Sequence, residues 1–408
     1  MRNRPTWIQT LIIIGLLAVV AAPIYRNRTT IISILKVGKY SGESITDQAE
    51  ISLDTLKVII KEKHFEILSE NRRKALEAGV LRDDYRDKVK GKLVINGDTA
   101  KIALRLKGDL RDHWSHENQW SFRIWIKGDN TFRGISKFEF QRPERRKNLN
   151  EWFFHEILNN QGIMSLRYRF VQAFINDVNV GIYAVEENFE TELIENNEKR
   201  AGVAFRFNCS KYWHYKYGIT SDRLLGAPIE PYDVGDESLD NPIYRQFLVA
   251  KSMVEKWSDG KAQLDEVFDI DLLAKYFSIV DLYGGQHGAW IDNMKFYYNP
   301  VTSLIEPIGH DNSTMINLAT SEPIDGRKLL GERRHISNGI DRKAIDRTGT
   351  DFINIWYDRI FENRQFYEKY VESLWEISDP VWINNFTDSI SPSVKAYQSL
   401  LQKKHSRL

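Results

Sequence analysis

The 408-residue sequence predicts an α+β protein in two unlike parts behind a single membrane helix: a mostly antiparallel β part, then a mostly helical one. Three observations carry this: an uncharged N-terminal stretch, period-two alternation through the first half, and helical spacing of apolar residues through the second. Hydrophobic residues at 42% and charged residues at 28% exclude a disordered, collagen-like or many-spanning chain. The 57 basic residues nearly cancel the 56 acidic ones, so no nucleic-acid partner is expected. One cysteine, Cys209, excludes an intrachain disulfide framework and a cysteine-based zinc site.

From Pro5 to Tyr25 there is no charged residue. About 20 residues at about 1.5 Å each span the hydrocarbon core of a bilayer, so residues 1–28 are expected to be a signal anchor. The competing reading is a signal peptide cleaved after Ala22, which would leave Pro23 as a poor first residue. Arg2 and Arg4 before the span balance Arg26 and Arg28 after it, so charge alone leaves the orientation open. Residues 29–49 read as a linker.

The β part is expected over residues 50–219. Leu56–Ile60 reads as a buried strand, and His64 to Gly79 as a helix with a glycine C-cap. Lys92 to Lys107 is a hairpin around Asn96-Gly97, a pair that tolerates the positive φ of a tight turn. Trp120–Lys127 and Lys137–Gln141 alternate around a turn at Phe132-Arg133-Gly134. Leu149 to Asn160 is a helix ending near Gly162, and Tyr168–Asn176 with Val180–Glu186 form another strand pair. Residues 220–241, rich in Pro, Gly and acidic side chains, read as a loop between lobes. Over 242–408, helices at Tyr244–Trp257 and Leu272–Tyr283 precede a hairpin from Met294 to Asp311 that turns at Asn299-Pro300, and an aromatic-rich helical stretch closes the chain.

The chain has no P-loop, no dinucleotide fingerprint, no nucleophile elbow and no zinc-protease helix. His113 and His116 read as packed surface beside Trp114 and Trp120, and the basic run Arg142 to Lys147 as a solvated loop. The segment 281–314 differs: it gathers the pair Gly284-Gly285, His287, Asp292-Asn293 and a hairpin ending in His310-Asp311-Asn312. Asn and Asp oxygens brought together by that hairpin suit Mg²⁺, which takes hard oxygen ligands and only one or two carboxylates besides substrate phosphates. The alternative is that Asp292-Asn293 forms a turn and Asp311 caps a helix beginning near Ser313.

Leu104-Arg105-Leu106-Lys107-Gly108-Asp109, Ser121-Phe122-Arg123-Ile124, Gly181-Ile182-Tyr183 with Glu186-Glu187, Asn293 through Pro300, and Pro307-Ile308-Gly309-His310-Asp311 together resemble the CotH family of spore-coat-type atypical protein kinases. The likeness runs over roughly residues 50 to 330. It implies a kinase-like two-lobed fold that uses ATP and Mg²⁺ to phosphorylate Ser or Thr of a secreted, envelope or coat protein, hence an extracytoplasmic domain. It also implies metal ligation by Asn293 and Asp311. The family's catalytic aspartate falls where this chain has His287-Gly288, so Asp292 or His287 stands as the base. Lys107 or Arg123 is the implied phosphate contact with Glu156 as a partner, and Glu186 and Glu187 lead toward the hinge. Two functions follow: a membrane-tethered phosphotransferase, or a catalytically inactive kinase-fold binding or assembly protein of the cell envelope.

Overall fold

A computed structural model describes residues 52–208, 227–283, 285–289, 291, 293–312, 356 and 359–405. The expected membrane span and its linker lie outside the described residues, as does Asp292. Among the described residues no helix is long and apolar enough to cross a membrane. The fold is mixed α+β, β-rich first and helical later, and it divides into two compact units. The described residues up to Glu156, Met164–Ala201 and those from Pro392 onward make the first unit; Ile157–Ile163 and Gly202–Ser391 make the second.

The first unit is built on seven strands: β1 (Thr55–Ile60), β2 (Val89–Ile95), β3 (Asp98–Leu106), β4 (Phe122–Ile126), β5 (Lys137–Gln141), β6 (Tyr168–Ile175) and β7 (Val178–Glu187). The expected antiparallel sheet is instead a closed barrel in the order β1-β2-β3-β4-β5-β7-β6. All neighbours are antiparallel except β1 and β6, which pair in parallel and seal it. Closure satisfies both edges that an open sheet would leave exposed. The alternating side chains explain the interior: Leu56, Val58, Leu104, Leu106, Phe122, Ile124, Phe138, Phe140, Tyr183 and Val185 share one buried core.

Turn chemistry sets the register. Asn96 and Gly97 both take positive φ, 48° and 110°, as a two-residue hairpin whose twist suits its strands requires. Arg133 and Gly134 repeat the device, bridged by Phe132 and Ile135. Helix α1 (Glu62–Ala78) ends on Gly79, left-handed at φ 76°. Its Phe65 stacks on Trp120, and Arg72 donates to the Trp114 carbonyl at 2.7 Å. Helix α2 (Asn150–Asn160) and the short α3 (Thr191–Asn196) complete the helices of this stretch.

The second unit holds strands β8 (Val203–Phe207), β9 (Ile229–Pro231), β10 (Lys295–Asn299) and β11 (Leu304–Gly309), antiparallel in the order β9-β8-β10-β11. The β8–β9 pair was not anticipated. Ile229–Pro231 therefore joins a sheet within the stretch expected as a loop, and Val203-Ala204-Phe205-Arg206-Phe207 is too short and too apolar to reveal its period. Helices α4 (Pro242–Ser258), α5 (Ile270–Tyr283), α6 (Arg364–Ile377) and α7 (Pro380–His405) follow the predicted pattern. Asn241 caps α4, its side-chain oxygen accepting from the Ile243 N–H at 2.9 Å, with Pro242 at the first helical position. Trp356 packs edge-on against Trp257, Phe207 and Phe268, and Tyr370 of α6 donates to buried Asp281 of α5 at 2.5 Å.

Candidate functional site

Two clusters of polar side chains stand out, one in each unit. In the second unit, α5 ends at Tyr283 and the chain turns through Gly285, His287 and Gly288. The turn is close-packed against the end of the β10–β11 hairpin. A Cβ added to Gly285 would lie 1.5 Å from Asn312 Oδ1, and one on Gly288 would lie 3.2 Å from the His310 carbonyl oxygen. The Tyr276 hydroxyl donates to the Gly288 carbonyl at 2.7 Å and fixes the turn from the α5 side.

That packing gathers three of the candidate residues. His287 Nδ1 is 3.0 Å from the Asp311 carbonyl oxygen and 3.3 Å from Asp311 Oδ1. Both are acceptors, while Asn293 Nδ2, a donor, also lies 3.0 Å from Nδ1, so the ring is held between an aspartate and an amide and these contacts fit either tautomer. Asn293 Nδ2 donates to the His287 carbonyl at 3.0 Å, which orients the amide and makes Oδ1 its acceptor face. Asp311 is left-handed at φ 54°, not the extended backbone of a helix N-cap, and the helix expected near Ser313 lies outside the described residues. A non-glycine residue held there is a strained position of the kind that recurs at functional sites. Asn312, fully buried beside Gly285, belongs to the cluster and was not singled out beforehand; its signal was the glycine-rich turn that its side chain fills.

The donors fit magnesium in kind: one carboxylate and one amide oxygen, both hard, on side chains that keep some exposure. Among the described residues no group of three or more His, Cys, Asp or Glu side chains converges on a metal position.

In the first unit the outward face of the barrel carries a row of charge. Arg105, Arg123, Glu139 and Glu186 lie opposite one another in register on β3, β4, β5 and β7. Arg123 Nε donates to Glu139 at 2.6 Å. Burial opposes the charge of Glu139, but Arg123 and Lys107 outweigh it and hold the carboxyl below its ordinary value. Lys107 donates to Gln141 Oε1 at 2.8 Å, and Gln141 Nε2 donates in turn to Glu186. Glu186 is fully buried and takes two bonds from Arg146, so the run Arg142 to Lys147 is not the solvated loop expected: one of its guanidiniums is interior. Glu187 is bound by Arg167, through Nε at 2.9 Å. Burial, only partly offset by the charge of Arg169, raises the Glu156 carboxyl above the ordinary range.

Lys107 and Glu186 thus share one hydrogen-bonded chain through Gln141, Arg123 pairs with Glu139 beside it, Glu187 has Arg167, and Glu156 lies within electrostatic reach of Arg169. Glu139, Gln141 and Arg146 are the members that sequence reasoning missed. The alternation of Lys137–Gln141 placed Glu139 and Gln141 on one face, but nothing local revealed that this polar face is buried.

His113 hydrogen-bonds Ser121 Oγ at 3.2 Å, and His116 Nδ1 accepts from the Asn118 N–H at 3.2 Å. Beside them Trp114 and Trp120 are both buried.

No curated protein matches the chain. A family model described as CotH kinase protein matches residues 104–407, from within β3 through α7, reaching further toward the C-terminus than the motifs that suggested it. That match covers well over half of the sequence and includes both polar clusters; the chain belongs to the CotH kinase protein family.

Proposed function

We propose that this protein is a membrane-anchored atypical kinase that transfers the γ-phosphate of ATP to a Ser or Thr hydroxyl of an envelope, secreted or coat protein. The observation that carries the reading is the convergence of His287, Asn293 and Asp311 on one turn, in a chain of the CotH kinase family. Asn293 and Asp311 would hold Mg²⁺, which on binding neutralises phosphate charge. His287, set against Asp311 and Asn293, is one candidate base for the acceptor hydroxyl's proton and Asp292 the other. Lys107 and Arg123 are the cationic groups assigned to phosphate. Positioning and electrostatics do most of the work in such a transfer, because phosphoryl transfer asks little covalent chemistry of the protein. The uncharged stretch from Pro5 to Tyr25 supports a single-pass anchor and an extracytoplasmic domain.

The test is calorimetric titration of Mg-ATP into the protein, followed by transfer of labelled phosphate to a Ser/Thr-containing protein acceptor. Binding with transfer is the expected result. Absence of nucleotide binding overturns the reading, and binding without transfer assigns the protein to the inactive, assembly-factor class.

A further inference from the structure

The outward barrel face carries more positive charge than it neutralises. Around the half-buried Trp125 of β4 lie Lys88, its ammonium 3.6 Å from the ring centroid, and Arg105 and Lys137, each 5.9 Å away. Arg123 and Lys127 are close enough to act on Lys88 as well. Two of these five cations have carboxylate partners: Arg123 has Glu139, and Lys137 has Glu190. Among the described residues Lys88, Arg105 and Lys127 have no ion-pair partner. The carboxylates within electrostatic reach of Arg105 are Glu139, held by Arg123, and Asp83, which lies 3.3 Å from Arg86.

Crowding like charges on a half-buried face is costly unless something anionic relieves it. The cost is visible on both groups. Burial, then Arg123 and Arg86, push the Arg105 guanidinium down to about 10. Lys88 is lowered as well, by desolvation first and then by Lys127, Lys137, Arg105 and Arg123. Cation–aromatic contacts hold the side chains over Trp125 without neutralising them.

We infer that Lys88 and Arg105 over Trp125, with Lys127 within electrostatic reach of Lys88, form an anion site for a ligand carrying clustered phosphates. Guanidinium and ammonium groups set side by side recognise several phosphate oxygens at once, Arg in fork geometry and Lys as a point charge. The same chemistry is presented by a free polyphosphate or by a phosphorylated lipid headgroup. The site requires neither magnesium nor Asp311, although it adjoins Arg123, which the proposed kinase assigns to phosphate.

The test is calorimetry with inorganic tripolyphosphate in magnesium-free buffer, beside flotation with phosphatidylcholine vesicles with and without phosphatidic acid. Arg105→Met and Lys127→Met should each weaken binding about tenfold, as the loss of one charge-assisted contact would. Lys127 is exposed, so its replacement leaves folding intact. Lys57→Met, on β1 and paired with Asp177, should change nothing. Binding to tripolyphosphate assigns a free ligand, and binding to phosphatidic acid vesicles alone assigns a headgroup; both support the site. Failure to bind either probe overturns it, as does equal weakening by Lys57→Met or equal binding of poly-glutamate.

Discussion

Arg146 holds both carboxylate oxygens of Glu186, with Nε 3.1 Å from one and a terminal nitrogen 3.0 Å from the other. The side chains are 7% and 0% exposed, so each charge depends on its partner for the solvation it has lost. Arg146→Met strands a buried carboxylate and should cost about 3–5 kcal/mol in urea unfolding. Arg146→Met combined with Glu186→Leu should recover much of that loss, because no uncompensated charge remains.

The pair of half-buried Arg123 with buried Glu139 gives a pH signature. With its carboxyl held below the ordinary value, Glu139 contributes stability that is present above that value and is lost as pH falls through the folded one. Arg123→Met removes the first of the charges that oppose burial. The stability margin of wild type over Arg123→Met should therefore widen as pH rises from the acid limb toward neutrality and shrink on acidification. Urea midpoints measured across that range check it, and a margin independent of pH would place the Arg123 contribution in packing alone.

At the turn cluster, Asp311→Asn keeps shape but removes the carboxylate charge. Mg-ATP affinity should fall by about 30- to 150-fold, or about 2–3 kcal/mol, with little change in melting temperature. His287→Ala should retain nucleotide and lose turnover if His287 is the base. Calorimetry and single-turnover transfer separate the two outcomes.

Gly285 offers a steric test of the same cluster. A methyl group there would coincide with the Asn312 amide, 1.5 Å away, so Gly285→Ala must displace Asn312 and with it the adjoining Asp311. Nucleotide binding should weaken about as far as in Asp311→Asn while the barrel unit melts unchanged. Calorimetry beside thermal melts reads both.

Local chemistry made most elements legible. Asn96-Gly97, Gly79, Gly162 and the alternation of Lys137–Gln141 each fix a backbone choice within a few residues. The Asn293–Asp311 hairpin was legible for the same reason: its two arms are neighbours in sequence. Barrel closure was not, because β1 and β6 meet in parallel across more than a hundred residues and neither carries a mark of its partner. Nor was the interior role of Arg146: a cluster of cations in sequence reads as solvated until a buried carboxylate from another strand is brought to one of them. Asn312 shows the same limit at the turn, where its environment is supplied by glycines more than twenty residues earlier.

The parallel seam also dictates an order of events at the ribosome. The Ile60 N–H donates to Asn176 Oδ1, 116 positions downstream, so β1 can pair with β2 at once but must wait for β6. At about 5–20 residues per second, that edge of β1 stays open for roughly ten seconds during translation. An unpaired apolar edge invites pairing with another nascent chain, and a lysine on such an edge discourages it. Lys57 lies on β1 and faces outward, bonded in the finished barrel to Asp177 in the turn that follows β6. One side chain therefore guards the edge while it is bare and fastens the seam once β6 arrives.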